Sequence, residues 1–229
     1  MVSNITPPKD RLEGLYFSYR DCTGCSLHRN RKLIVKGTGN PEANVMFVLD
    51  RLSPINLQES ELLSDGEGGV LQSLLEHLGH DVRDFWVTSS VLCATGDLTP
   101  DKFGRDPEIF SPPKPAHLVA CQSRLHEEIQ IVQPEVIVAC GSSALRAISL
   151  GVAPKFTENI GQIIEVHIKG KLVNYPVPVM VSQSLNMLYR TPDLQPGGLW
   201  HDVCRHYHHA ACVAEELNER RKKDGNSRR

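Results

Sequence analysis

The chain has 229 residues, of which 40% are hydrophobic and 23% charged, with a formal net charge of −2. These values suit one large globular domain and exclude a global attraction to polyanions, so any nucleic acid would have to be met by a local basic patch. No run approaches the ~18 apolar residues needed to cross a bilayer, and Met1 to Pro8 lack the apolar core of a secretory signal. The expected location is therefore cytoplasmic, or nuclear for a eukaryotic host or a virus of one, with no membrane partner. In a reducing compartment seven cysteines point to metal ligands or buried thiols rather than disulfides.

In chain order, Leu12, Leu15, Tyr16 and Tyr19 fall at helical spacing and predict a helix over 9–20. It leads into Cys22-Thr23-Gly24-Cys25 and the basic stretch His28 to Lys32. Leu33 to Val35 reads as a short strand, and Gly37 to Pro41 as a turn. Asn44 to Leu49 is a wholly apolar run, the pattern of a strand buried on both faces. Residues 50–68 read as a polar loop, and Leu71, Leu74, Leu75 and Leu78 mark a helix stopped by Gly79. Phe85 to Leu92 reads as a strand that delivers Cys93. Residues 94–115, rich in Pro, Gly and Asp, form a long loop or insertion. A helix from Ala116 to Val132 carries Cys121. Val136 to Cys140 is a further buried strand, with Gly141-Ser142-Ser143 capping a helix over 143–150. Two strands follow at 161–168 and 171–181, then a loop from Ser184 to Arg190 and a terminal helix from Leu199 to Asn218. Strands alternating with helices predict a parallel sheet covered on both faces, with its ligand crevice at the carboxyl ends of the strands. The basic run Arg220 to Lys223, continued by Arg228 and Arg229, reads as a disordered tail spanning 220–229.

Cys22 and Cys25 can grip one metal centre together, and Cys93 and Cys121 can complete a four-thiolate site. That set suits tetrahedral zinc or an iron–sulfur cluster. A redox role fits poorly, because this C-x-x-C follows a helix rather than a strand. Cys140 reads as a core residue. Cys204 and Cys212 lie among His201, His206, His208 and His209, where a second metal site is conceivable and a polar helix face is the plainer reading. Two helical turns separate these cysteines, too far for both to hold one ion without help.

Cys22-x-x-Cys25-x-Leu27-x-x-x-Arg31, Val35-x-Gly37-x-Gly39 and Ala43-x-Val45-Met46-Phe47-Val48 resemble the opening of the iron–sulfur uracil-DNA glycosylases, family 4 of that superfamily. The likeness continues through Val87-Thr88, Cys93, Cys121-x-x-x-Leu125, Ile131-x-x-Pro134-x-Val136-Ile137-Val138 and Gly141-x-x-Ala144 to Leu199-Trp200-x-Asp202. It covers residues 20–205. It implies a three-layer α/β/α fold with a central parallel four-stranded sheet. It also implies a single domain over 1–219, with an insertion at about 94–115, and a 4Fe–4S cluster on Cys22, Cys25, Cys93 and Cys121, zinc being the runner-up.

The chain departs from the family where the family's chemistry sits. The Gly-Glu-Ala-Pro-Gly loop is here Leu49-Asp50-Arg51-Leu52-Ser53, without the glycines that admit a base, though Asp50 keeps an acid. The base-reading Asn is replaced by Ser89, which cannot make the paired contact of an amide. The His-Pro-Ser loop is matched by Ser184-Leu185-Asn186 or Ser182-Gln183-Ser184, neither with a His to stabilise the departing base. Leu63 stands at the stacking aromatic.

Two functions are consistent with these residues. The first is a DNA-binding or replication/repair-complex module with lost or altered base excision, its phosphate contacts drawn from Arg29, Arg31, Lys32 and Lys36. The second is an active glycosylase acting on an extruded uracil or another damaged base. There Asp50 would position water, Asn186 or Gln183 would replace the His, and Ser89 and Ser184 would line the base site.

Overall fold

The computed structural model describes residues 6–31, 33–95, 112–170, 174–191 and 193–225. Helix α1 (Pro8–Tyr19) starts with proline at its first position, where the missing N–H costs nothing. Strand β1 (Thr38–Gly39) precedes β2 (Val45–Leu49), α2 (Pro54–Glu59), α3 (Gly66–His77) and β3 (Trp86–Ser89). Then come α4 (Pro115–Val132), β4 (Val136–Cys140), α5 (Ser142–Ile148), α6 (Phe156–Asn159), β5 (Ile163–Lys169), β6 (Asn174–Ser182), α7 (Leu185–Arg190) and α8 (Leu199–Lys223).

Among the described residues the sheet has six strands, in the order β1-β3-β2-β4-β6-β5. The inner four, β3, β2, β4 and β6, are parallel, as expected. The four-strand expectation falls short at both margins, where β1 pairs antiparallel with β3 and β5 antiparallel with β6. β1 lies in the stretch read as a turn. β6 follows β5 after four residues, a connection that only an antiparallel pair allows.

The pleat sorts side chains onto two cores. Met46, Val48, Trp86, Ile137, Ala139, Val179 and Val181 pack with α1, α4 and α5. Val45, Phe47, Leu49, Val87, Val138, Cys140 and Met180 pack with α3, α7 and α8. The result is the expected α/β/α layering, with every side chain of β2 and β4 buried.

Several local expectations are corrected. Leu33 to Val35 is not a strand; Val35 is held by its N–H to the Leu92 carbonyl at 3.0 Å. Within 50–68 lies α2, fixed by a reciprocal capping box between Ser53 and Asn56 with Pro54 at the first position. Helix α3 begins at Gly66, before the leucines, because Asp65 accepts the Gly68 N–H and caps it. The Ser184–Arg190 segment is helical rather than a loop. Helix α8 runs through Lys223, five residues past the expected end, and Arg221 pairs with Glu135 at 2.9 Å. Arg220 to Lys223 of the basic run are thus helical, and Arg228 and Arg229 lie outside the described residues. Lys32 and the core of the insertion, 96–111, lie outside the described residues.

Candidate metal centre and strand-end crevice

Cys22 and Cys25 follow α1 directly, Cys93 lies four residues beyond the end of β3, and Cys121 lies in the second turn of α4. The fold brings all four to one cavity, closed by Tyr19, His28, Arg31, Ile34, Leu92 and Ala120. The Gly24 N–H donates to Cys22 Sγ at 3.4 Å, and Arg31 Nη1 lies 3.9 Å from Cys93 Sγ. Burial pushes the Cys93 thiol up to about 11 against the pull of Arg31, and burial likewise raises Cys25. Holding these groups as thiolates therefore needs a compensating positive centre. His28 is turned back to the Cys25 carbonyl at 2.6 Å. Among the described residues no three His, Cys, Asp or Glu side chains gather tightly enough to grip one ion.

Behind this cavity is a buried polar network that sequence inspection missed. Glu128 and Arg124 are both fully buried and pair at 2.5 Å. Glu128 Oε1 accepts from Tyr16 Oη at 2.6 Å and Trp86 Nε1 at 2.7 Å, and its Oε2 from Thr88 Oγ1 at 3.1 Å. Arg124 Nη2 donates to the Ser89 carbonyl at 2.7 Å. The network joins α1, β3 and α4, the elements that carry or flank the four cysteines. The signal in sequence was slight: an Arg and a Glu four apart inside an otherwise apolar helix face.

At the carboxyl ends of the parallel strands, Asp50 follows β2 and is turned inward. Its Oδ1 accepts the Ser143 N–H at 2.6 Å and the Ala144 N–H at 3.2 Å, at the start of α5. Burial raises the Asp50 carboxyl and the two amides draw it back down. Gly141, at φ +109°, permits the approach, since a Cβ there would stand 2.7 Å from the carboxyl group. Arg51 Nη2 and Glu67 Oε1 form a buried ion pair at 2.9 Å. Burial pushes Glu67 up while Arg51 holds it down, and Asn186 lies beside it. Sequence inspection placed Glu67 in a glycine-rich loop, and only the Asp65 cap betrays the helix that carries it.

The other expected site residues are dispersed. Ser89 ends β3, buried, its Oγ without a partner among the described residues; Asn186 Nδ2 is buried beside the Glu67 carboxylate. Ser184 is the residue before α7, and its side chain makes no capping bond. Arg29 is exposed and Arg31 half-buried against the cysteines. Lys36 is exposed and paired with Glu13 at 2.6 Å. The structure thus gathers the four cysteines into one cavity whose lining does not include Asp50, Ser184 or Asn186.

The sequence model of the uracil DNA glycosylase superfamily matches residues 11–202, from α1 to the first turn of α8. The chain belongs to the uracil DNA glycosylase superfamily. It is similar to the type-4 uracil-DNA glycosylase of Thermotoga maritima, 29% identical over 126 residues, 55% of this chain and 59% of that protein. The enzyme of the same name from Sulfurisphaera tokodaii is 28% identical over 167 residues, 72% of this chain and 69% of its own. For that of Pyrobaculum aerophilum the identity is 23% over 184 residues, 80% and 87% of the two chains. No helix among the described residues is long and apolar enough to cross a membrane.

Proposed function

We propose that this member of the superfamily is a DNA-binding protein that carries a 4Fe–4S cluster on Cys22, Cys25, Cys93 and Cys121 and has a remodelled base-excision site. The observation that carries the remodelling is Asp50. Its Oδ1 is taken up by the two amides that open α5, so the acid acts as a helix cap. A carboxylate held this way is poorly free to orient an attacking water. The segment from Ser182 to Arg190 offers no His to receive charge on a departing base.

The donor set supports a cluster. Four thiolates suit either one zinc ion or a cluster, and the resemblance of the cysteine frame to the iron–sulfur family favours the cluster. A cluster spreads its ligands over separate irons, which suits four cysteines drawn from three separate segments. When bound, the group supplies a covalent tie between the end of α1, the segment after β3 and α4. The chain's own part is to exclude water with Tyr19, Ile34 and Leu92 and to aim N–H groups of Gly24 and Arg31 at sulfur. Arg29, exposed beside the site, is the phosphate contact of this reading.

A second reading, an active glycosylase with altered base preference, draws on Ser89 Oγ and Asn186 Nδ2. Ser89 Oγ is buried without a partner among the described residues, as a group awaiting a ligand's polar edge is, and Asn186 Nδ2 is buried beside Glu67.

Oligonucleotides carrying uracil or hypoxanthine, single- and double-stranded, separate the two. They are incubated with the cluster-loaded protein and treated with alkali to cleave abasic sites. Salt-sensitive binding without strand breaks is the expected result. Breaks that disappear in Asp50→Ala would overturn it and establish the second reading.

A further inference from the structure

The outward side of α8 carries a pair of side chains that neither the cluster nor the crevice uses. His208 and Cys212 are one helical turn apart, and both are exposed. His208 Nε2 stands 3.7 Å from Cys212 Sγ. A zinc ion takes thiolate sulfur at ~2.3 Å and imidazole nitrogen at ~2.0–2.1 Å, so a tetrahedral angle at the metal sets the two donors ~3.6 Å apart. The pair therefore already stands at the bite of a single ion.

The scaffold under the pair is firm. Val203, Tyr207, Ala210 and Ala214, on the opposite face of the 25-residue helix, are buried in the second core. Two other candidates on α8 are turned away from the surface. His206 Nδ1 lies 3.2 Å from Ser182 Oγ and faces inward, and Cys204 is buried.

We propose that His208 and Cys212 form a two-point surface site for a borderline-soft divalent cation of the zinc class. A thiolate and an imidazole favour such an ion over magnesium or calcium, which prefer oxygen. Binding releases the Cys212 thiol proton to solvent as the sulfur–metal bond forms. Among the described residues no third side chain joins the pair, so water or a donor from another molecule completes the coordination.

The test uses the full, cluster-loaded chain and zinc alone. Zinc is titrated against a chromophoric chelator, and Cys212 alkylation by iodoacetamide is followed by peptide mass spectrometry. Wild type is expected to bind one more zinc equivalent than Cys212→Ser or His208→Ala, and to be protected at Cys212 by zinc but not by magnesium. His208→Ala is expected to lose the protection together with the equivalent. Equal zinc uptake by all three proteins, or alkylation of wild-type Cys212 at the same rate with and without zinc, would overturn the proposal. Both positions are on the exposed face, so both substituted proteins fold.

Discussion

Asp50 and Ser143 are joined across the sheet's carboxyl edge: the carboxylate after β2 accepts the backbone N–H at the start of α5, 2.6 Å away. This contact makes Asp50 a structural cap for α5. Asp50→Ala removes an acceptor for two amides, and caps of this kind contribute about 1 kcal/mol. The expected outcome is a lower midpoint in chemical denaturation with DNA affinity unchanged. Loss of DNA affinity at full stability would show that the carboxylate faces ligand instead.

Arg124 and Glu128 make a sharper case, because neither touches solvent. Arg124→Ala leaves the Glu128 carboxylate buried without its cation, and breaking a buried pair from one side costs about 3–5 kcal/mol. Tyr16, Trp86 and Thr88 still donate to the carboxylate and moderate the loss. Arg221→Ala, which breaks the part-exposed pair with Glu135, is expected to cost far less, about 1 kcal/mol or below. Urea unfolding of the two substituted proteins beside wild type tests the order. Equal losses would refute the weight given to burial.

The inner strands were legible in the sequence because β2 and β4 are buried on both faces and read as unbroken apolar runs. That four cysteines line one cavity was legible because a C-x-x-C next to a helix, with one further thiol after a strand and one on the next helix, is a spacing that suits a metal. The strand-end crevice was not. Asp50 and Ser143 are 93 residues apart, and whether an acid faces a helix N-terminus or a substrate depends on a loop path that composition does not encode. The edge strands were hidden for a related reason: Thr38–Gly39 has neither length nor alternation, and is a strand only because Phe85 to Val87 lie beside it. Arg51 and Glu67 met only after α3 started earlier than its leucines suggest.

Metal loading is expected to separate the cysteines into two groups. Cys93→Ser and Cys121→Ser each remove a wall of the shared cavity and a ligand, and should abolish iron content and visible colour. Cys140→Ala should keep both, since that thiol is buried in the other core, 3.4 Å from Tyr207 Oη, and raised to about 12 by burial. Iron and sulfide analysis after anaerobic purification provides the measurement. A colourless wild type with stoichiometric zinc would replace the cluster by a single ion.

Arg29 is exposed in the turn that follows Cys25, whereas Arg31 is folded back on Cys93. If Arg29 meets a phosphate, Arg29→Ala weakens binding to all DNA sequences alike and lowers the salt slope by about 1. Arg31→Ala should instead reduce cluster retention, read as iron content. Fluorescence anisotropy across a salt series distinguishes the two. An unchanged slope in Arg29→Ala would remove this turn from the DNA interface.

His126 offers a pH test. It is buried, its Nδ1 accepts the Lys169 N–H at 2.9 Å, and its Nε2–H donates to the Ile148 carbonyl at 2.9 Å, an arrangement that only the neutral ring satisfies. Burial is the main cause that depresses its pKa. The Ile148 and Ala147 carbonyls oppose it, and Lys169 and Arg124 reinforce it. The native state therefore binds this proton more weakly than the unfolded chain, whose ring titrates near ~6.5. The stability that the neutral ring supplies is complete above that value and is lost as pH falls from it through the lower folded value. His117 and His206 are depressed in the same direction and add to the slope. His126→Gln should keep part of the hydrogen bonding and lower the slope of stability against pH in this window by at most about 1.4 kcal/mol per pH unit, one proton's worth. Urea denaturation at closely spaced pH values between neutrality and mild acid measures it. Identical slopes for wild type and His126→Gln would mean that the ring charges in place without cost, contrary to its two hydrogen bonds.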